Sequence, residues 1–151
     1  MPHASFKVNV VVQALPEQVF EYVSDLTRHG EWSADHVTIT ALSNASIGVG
    51  SRYRSVVISH GGRFTADLSV SEYDPPSHFG FAGEDATGKF SHIFTFQPNQ
   101  TGTLVTREIQ LNVTVLQWLI FFVLLYPVRI SAARRALQLL KERIEGKPNA
   151  L

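Results

Sequence analysis

Alternation opens the chain. Phe6, Val8, Val10 and Val12 fall on one side of an extended backbone, and Lys7, Asn9 and Gln13 fall on the other, which predicts a strand with one buried face. Pro16 then suits the first turn of a helix and Glu17 its positive end. Val19, Phe20, Val23 and Leu26 repeat at helical spacing behind them. Arg28 to Ser33 reads as a short second helix or turn carrying Trp32. From His36 to Val113 the period falls to two, and six runs fit strands, at 36–43, 50–60, 63–73, 78–83, 89–96 and 103–113. Gly48 and Gly50, Gly61-Gly62, Asp74-Pro75-Pro76 and the loop Gln97–Gly102 separate them. After Pro127 the helical period returns in Ile130, Ala133, Leu137, Leu140 and Ile144, with Gly146 and Pro148 as stop signals.

Strands in hairpin succession make an antiparallel sheet, and a sheet with one apolar face must cover it. The terminal helix is the element long enough to do so, and the space between a curved sheet and that helix is the natural place for a ligand cavity. No repeat or linker interrupts the chain, so residues 1–151 are expected to form one domain.

Composition narrows the field. At 44% hydrophobic and 17% charged residues the chain is not a disordered one. Thirteen bases balance thirteen acids, so no overall field attracts nucleic acid. The absence of cysteine excludes disulfides and thiolate chemistry. The amino terminus lacks the charged start and apolar run of a signal peptide, and the expected location is cytoplasmic, with membrane association the alternative raised by one segment. From Val113 to Val128 only Thr114, Gln117 and Pro127 interrupt an apolar run. The residues that follow, 129–147, carry six bases against Glu142 and Glu145, a net of +4. The run is short for a span, which needs ~20 residues, and reads as a buried or interfacial segment.

Four stretches carry a resemblance: Ala14-Leu15-Pro16-Glu17-Gln18-Val19-Phe20, Glu31-Trp32-Ser33, Gly48-Val49-Gly50-Ser51-Arg52 and Tyr73-Asp74-Pro75-Pro76. A fifth is the closing Leu139-Leu140-Lys141-Glu142-Arg143-Ile144-Glu145. In this order they resemble the SRPBCC superfamily of START-like helix-grip proteins, in its polyketide cyclase/dehydrase and lipid transport branch, over about residues 5–146. The resemblance implies an α+β helix-grip fold. A seven-stranded curved antiparallel sheet would wrap around a long C-terminal helix, with two short helices after the first strand. It implies binding or transport of a hydrophobic small molecule, such as a lipid, isoprenoid or polyketide-like compound. An aromatase/cyclase-like enzyme is the alternative, and a peripheral membrane or protein interaction module the third. The segment before Pro127 is more apolar than the family leads one to expect.

Motif by motif, enzyme chemistry finds little support. His3, His29, His36, His60, His78 and His92 show no metal-ligand spacing and read as scattered surface histidines, so neither a metal nor a cofactor is expected. No G-x-S-x-G accompanies His60-Gly61-Gly62. Gly48-Val49-Gly50 lacks the third glycine and the following helix of a dinucleotide loop. Trp32 reads as a core plug or a residue at a cavity mouth. Arg52 and Arg54 share a strand face whose side is ambiguous, because Val56 and Ile58 share it too.

His92 and Arg107 stand out as the polar exceptions on apolar strand faces. If the Gln97–Gly102 loop closes symmetrically, His92 sits directly opposite Arg107. A guanidinium on a core face is costly unless it is paired or wet. Ligand contact, an ion pair with an acid from the terminal helix, and a different register remain open. Candidate ligand-binding residues are His92 and Arg107, with Phe64, Leu68, Phe90, Phe94, Ile109, Trp118 and Phe122 as apolar walls. The segment 116–128 would be a cavity lid, a homodimer contact or a membrane-surface anchor.

Overall fold

The alternating runs pair as strands in the computed structural model, which describes residues 3–59 and 61–146. Strands β1 (His3–Val12), β2 (His36–Ala41), β3 (Arg52–Ser59), β4 (Gly62–Asp74), β5 (His78–Asp85), β6 (Gly88–Asn99) and β7 (Gly102–Asn112) form one antiparallel sheet. Its order is β1-β7-β6-β5-β4-β3-β2, so β2 to β7 run as a meander and β1 closes on the last strand. Helix α1 (Pro16–Ser24) and a 3-10 helix (Leu26–Glu31) connect β1 to β2. The β4–β5 register shifts between Val70 and Glu72, a bulge that bends the strand. This is the expected α+β architecture, a curved sheet and a long terminal helix.

Period two sets the faces. Phe6 and Val8 on β1, Leu68 and Val70 on β4, Phe79 and Phe81 on β5, and Phe94 and Phe96 on β6 are buried on the inner side. Arg52 and Arg54 lie outside, where Arg54 Nε donates to Asp67 Oδ1 at 2.9 Å. The ambiguity over Val56 and Ile58 resolves with them, since Ile58 is an exposed outer residue near the strand end. The Ser59–Gly62 pair closes a tight turn, but His60 lies outside the described residues.

Helix α3 (Tyr126–Ile144) covers the inner face. Ala133, Ala136, Leu137 and Leu140 are buried, Ile130 and Ile144 pack half-buried beside them, and Arg134 and Arg135 point to solvent. Its far end is tied down by polar contacts. Lys141 Nζ donates to Val11 O at 2.9 Å, Glu145 Oε1 accepts from Gln13 N at 2.9 Å, and Arg143 Nε donates to Glu31 O at 3.1 Å.

The near end differs from expectation. The helix does not begin at Pro127. Helix α2 (Val115–Ile120) runs through a π turn (Phe121–Leu125) into α3. Proline lacks the N–H that the preceding turn would use, and the wider π turn absorbs that gap without a break. Of the two expectations for this apolar segment, buried or interfacial, the buried one is corrected. No residue of α2 is buried, and α3 packs chiefly on β1 and the 3-10 helix while α2 packs substantially on no strand.

Gly30 illustrates how closely the 3-10 helix lies on β2. A Cβ there would sit 2.2 Å from the Val37 carbonyl oxygen. Gly30→Ala should lower stability by about 1–3 kcal/mol, since the backbone it would strike cannot yield as a side chain can. A shifted urea midpoint checks this, and an unchanged one would mean that the two elements are not in contact.

Candidate functional site

Three cross-strand rows build the inner face. One reads Val8, Arg107, Phe94, Phe79, and the next Phe6, Ile109, His92, Phe81, Val70. The third reads Ala4, Leu111, Phe90, Gly83, Leu68, Tyr53. Gly83 is required there, because a Cβ would come within 2.6 Å of Leu68 and 2.8 Å of Phe90, which close over it.

The expected pairing of His92 directly opposite Arg107 is therefore off by one row. Strand β6 continues to Asn99, and the turn holds only Gln100 and Thr101. Asn99 Oδ1 accepts from Thr101 N at 3.2 Å, a local bond that tightens the turn beyond a symmetric six-residue loop. A shift of two residues preserves the faces, so both side chains still point inward, and they meet on the diagonal. Arg107 Nη2 donates to His92 Nδ1 at 2.7 Å. The proton of His92 therefore resides on Nε2.

The 3-10 helix supplies the other side of the cluster. Its three-residue turn aligns Leu26, His29 and Trp32 on one face. Trp32 is fully buried and His29 is 7% exposed, and their rings lie 4.3 Å apart. The Arg107 guanidinium sits 5.6 Å from the Trp32 ring and 5.5 Å from the Phe94 ring, within cation–π range. Phe81 stacks on His92 at 4.8 Å and meets His29 edge-on at 6.1 Å.

Arg107 is 6% exposed, and among the described residues no carboxylate forms an ion pair with it. The acid that a structural ion pair would need from the terminal helix is not found there. Among the described residues, three buried nitrogens have no hydrogen-bond partner: Arg107 Nε, Trp32 Nε1 and His29 Nδ1. The first two can only donate. Burial lowers the Arg107 pKa to about 10, which leaves it charged at neutral pH. Burial, and secondarily the Arg107 charge, brings His29 to about 3. The same two causes, with His29 and Arg129 adding to them, hold His92 well below its usual 6.5. The result is a fixed positive charge ringed by aromatic faces and two neutral imidazoles, with donors unsatisfied.

The apolar walls divide. Leu68, Phe94 and Ile109 are buried beside the cluster, while Phe64 and Phe90 are half-buried with Leu111 and Val113. The inner face is thus closed around Phe79 and Phe94 and only partly covered toward Phe64, Phe90 and Leu111. Trp118 and Phe122 lie 4.9 Å apart and both are exposed, with Phe122 stacked on Tyr126 at 5.7 Å and Tyr126 meeting the inner-face Phe6 edge-on at 6.1 Å. A cleft of about 500 Å³ opens elsewhere, between α1 and the β4–β5 turn, lined by Glu17, Glu21, Asp25 and Arg28 among others. Trp32 lies fully buried on the inner face, its ring edge-on to Phe94 at 6.0 Å.

Sequence reasoning missed His29 and Phe81. His29 is corrected from a surface to an interior residue, while His92, read both among the scattered histidines and as an inward-facing neighbour of Arg107, takes the inward-facing place. The usable signal was the Leu26, His29, Trp32 spacing, which places His29 on the face that carries two large apolar neighbours. Among the described residues, no three or more His, Asp or Glu side chains come together in a way that could hold a metal ion.

Comparison with known proteins agrees with this architecture. Two uncharacterised proteins of Mycobacterium tuberculosis, from strains H37Rv and CDC 1551, are 25% identical over 110 residues, covering 72% of this chain and 77% of each relative. An Arthrobacter aurescens protein solved by NMR superposes with a TM-score of 0.75 at 15% identity, over 97% of this chain and 89% of that one. The di-domain aromatase/cyclase StfQ of the steffimycin biosynthetic pathway gives 0.74 at 12% identity, over 96% of this chain and 51% of that one. Both likenesses concern the fold. Residues 3–145 match the family described as polyketide cyclase / dehydrase and lipid transport. With a family match over nearly its whole length and the curved sheet and long helix in place, the chain belongs to the polyketide cyclase/dehydrase and lipid transport family.

Proposed function

We propose that the protein binds a largely apolar small molecule that carries one anionic or carbonyl head group. The observation that carries this reading is Arg107: a buried cation with no carboxylate partner among the described residues, its Nε–H and the neighbouring Trp32 Nε1–H unsatisfied there. A buried charge left this way costs several kcal/mol, and an acceptor from a ligand would satisfy both donors at once. Arginine's planar fork suits a carboxylate or an enolate-like oxygen pair. The half-buried Phe90 and Leu111, neighbours in one row, with Phe64 half-buried on β4, offer the apolar remainder a place against the sheet.

A binding role is favoured over catalysis by the state of the two imidazoles. Enolisation chemistry needs a base with a free lone pair and a pKa near the working pH. The His92 Nδ1 lone pair is engaged by Arg107, and His29, at about 3, is too weak a base. The aromatase/cyclase reading draws its support from the family description and from the fold of StfQ, not from the geometry of the two imidazoles.

Native mass spectrometry of the protein purified without detergent tests the proposal. The expected result is a co-purified small molecule, or saturable binding of aromatic and fatty carboxylates with the corresponding alcohols much weaker. No adduct, together with no thermal shift from any of these compounds, would overturn it.

A further inference from the structure

The ligand reading makes no use of the apolar helix between β7 and the packed part of α3. From Val113 to Val128 the chain has no charged residue. At about 100° per residue, Trp118, Val115, Leu119, Leu116 and Ile120 spread over more than half of the circumference of α2, and the π turn and the start of α3 add Val123, Leu124, Leu125 and Val128 beyond it. All of these are exposed, Val123 at 72%, Leu116 at 68% and Leu124 at 67%. A groove on a protein partner, or a second copy of this chain, covers a stripe of a helix and would leave the other side in water. An acyl layer covers every side.

Two further observations point the same way. The start of α2 carries a reciprocal cap, in which Thr114 Oγ1 accepts from Gln117 N at 3.2 Å and Gln117 Oε1 accepts from Thr114 N at 2.9 Å. This capping box reduces the number of backbone donors that depend on water at the helix end. Beyond the apolar run stand Arg129, Arg134 and Arg135, all exposed and, among the described residues, in no ion pair. That is the charge an anionic headgroup layer attracts.

We propose that Val115–Val128 docks the protein on an anionic lipid surface, entering the acyl layer of one leaflet while Arg129, Arg134 and Arg135 meet the headgroup phosphates. Helix Val115–Ile144 as a whole is long and apolar enough to cross a membrane, with a mean hydropathy of 1.8 over an 18-residue stretch. From Ala133 onward, however, its apolar stripe is built into the core. The free part extends only about 20 Å, against a hydrocarbon core of ~30 Å. It therefore enters the membrane without crossing it.

The test uses the full chain with vesicles of phosphatidylcholine alone and of phosphatidylcholine mixed with phosphatidylglycerol. The chain is expected to sediment with the mixed vesicles, less so at high salt, and Trp118 to become protected from iodide quenching. Trp32, already fully buried, supplies the unquenched background. Leu119→Asp combined with Val123→Asp, both at exposed positions and so compatible with an unchanged circular dichroism spectrum, should abolish sedimentation. Arg134→Gln and Arg135→Gln should each weaken binding to the mixed vesicles roughly fivefold and leave binding to phosphatidylcholine alone unchanged. A chain that stays in the supernatant overturns the proposal, whether it is monomeric or a dimer. So does sedimentation that the paired aspartates leave intact, and equal binding to both vesicle types removes the role of the arginines.

Discussion

Acidification from pH 7 to pH 5 should cost the protein about 2 kcal/mol of stability through His29 alone, with His92 adding to the loss. His29 and His92 are held neutral in the folded state, His29 at about 3 and His92 well below its usual 6.5, and both regain ordinary behaviour on unfolding. Below pH 6.5 the unfolded chain therefore binds more protons than the folded one, and stability falls as pH falls. The slope is about 1.4 kcal/mol per pH unit for each histidine, and it continues for His29 until pH about 3. Urea midpoints at pH 7, 6 and 5 measure it directly. His29→Phe keeps a ring against Trp32 and Phe81 and should halve the slope. A midpoint that does not move between pH 7 and pH 5 would mean that the two imidazoles are solvated, and the buried cluster would not exist as described.

The elements that sequence reasoning placed correctly are those governed by one dominant period. Alternating Val and Phe residues located the strands and their inner faces. The Ala133, Leu137, Leu140 stripe located the packed helix, and Arg107 was recognised as a polar residue on an apolar face. The failures share a different origin. Strand register across β6 and β7 depends on a turn set by Asn99 and Thr101, a local hydrogen bond that hydrophobic pattern does not report. The exposure of α2 was hidden because an apolar helix reads the same whether protein or another apolar medium surrounds it. His29 was hidden because a 3-10 turn repeats every three residues, and a search for 3.6-residue stripes passes over it. The contact between His92 and Arg107 survived a wrong register because a two-residue shift leaves parity unchanged.

Arg107→Leu should raise stability by about 1–2 kcal/mol while weakening a carboxylate ligand about 10- to 100-fold. The stability gain follows from replacing a buried cation that has no counterion by an apolar side chain. Against it stand the lost contacts with the Trp32 and Phe94 rings and the hydrogen bond to His92. These offset part of the gain but not all, because His92 can exchange tautomer in place. The affinity loss follows from removing a charged donor that the ligand cannot replace. Arg107→Lys keeps the charge and loses the fork, so it should bind with intermediate affinity and show no stability gain. The same variant also tests the electrostatic account of the imidazoles. Arg107 lowers both histidine pKa values, so Arg107→Leu should let them rise and make the loss of stability in acid shallower. Thermal melts at two pH values, read beside ligand titrations of the same preparations, separate the outcomes. Loss of stability with unchanged affinity would make Arg107 a structural residue and remove it from the site.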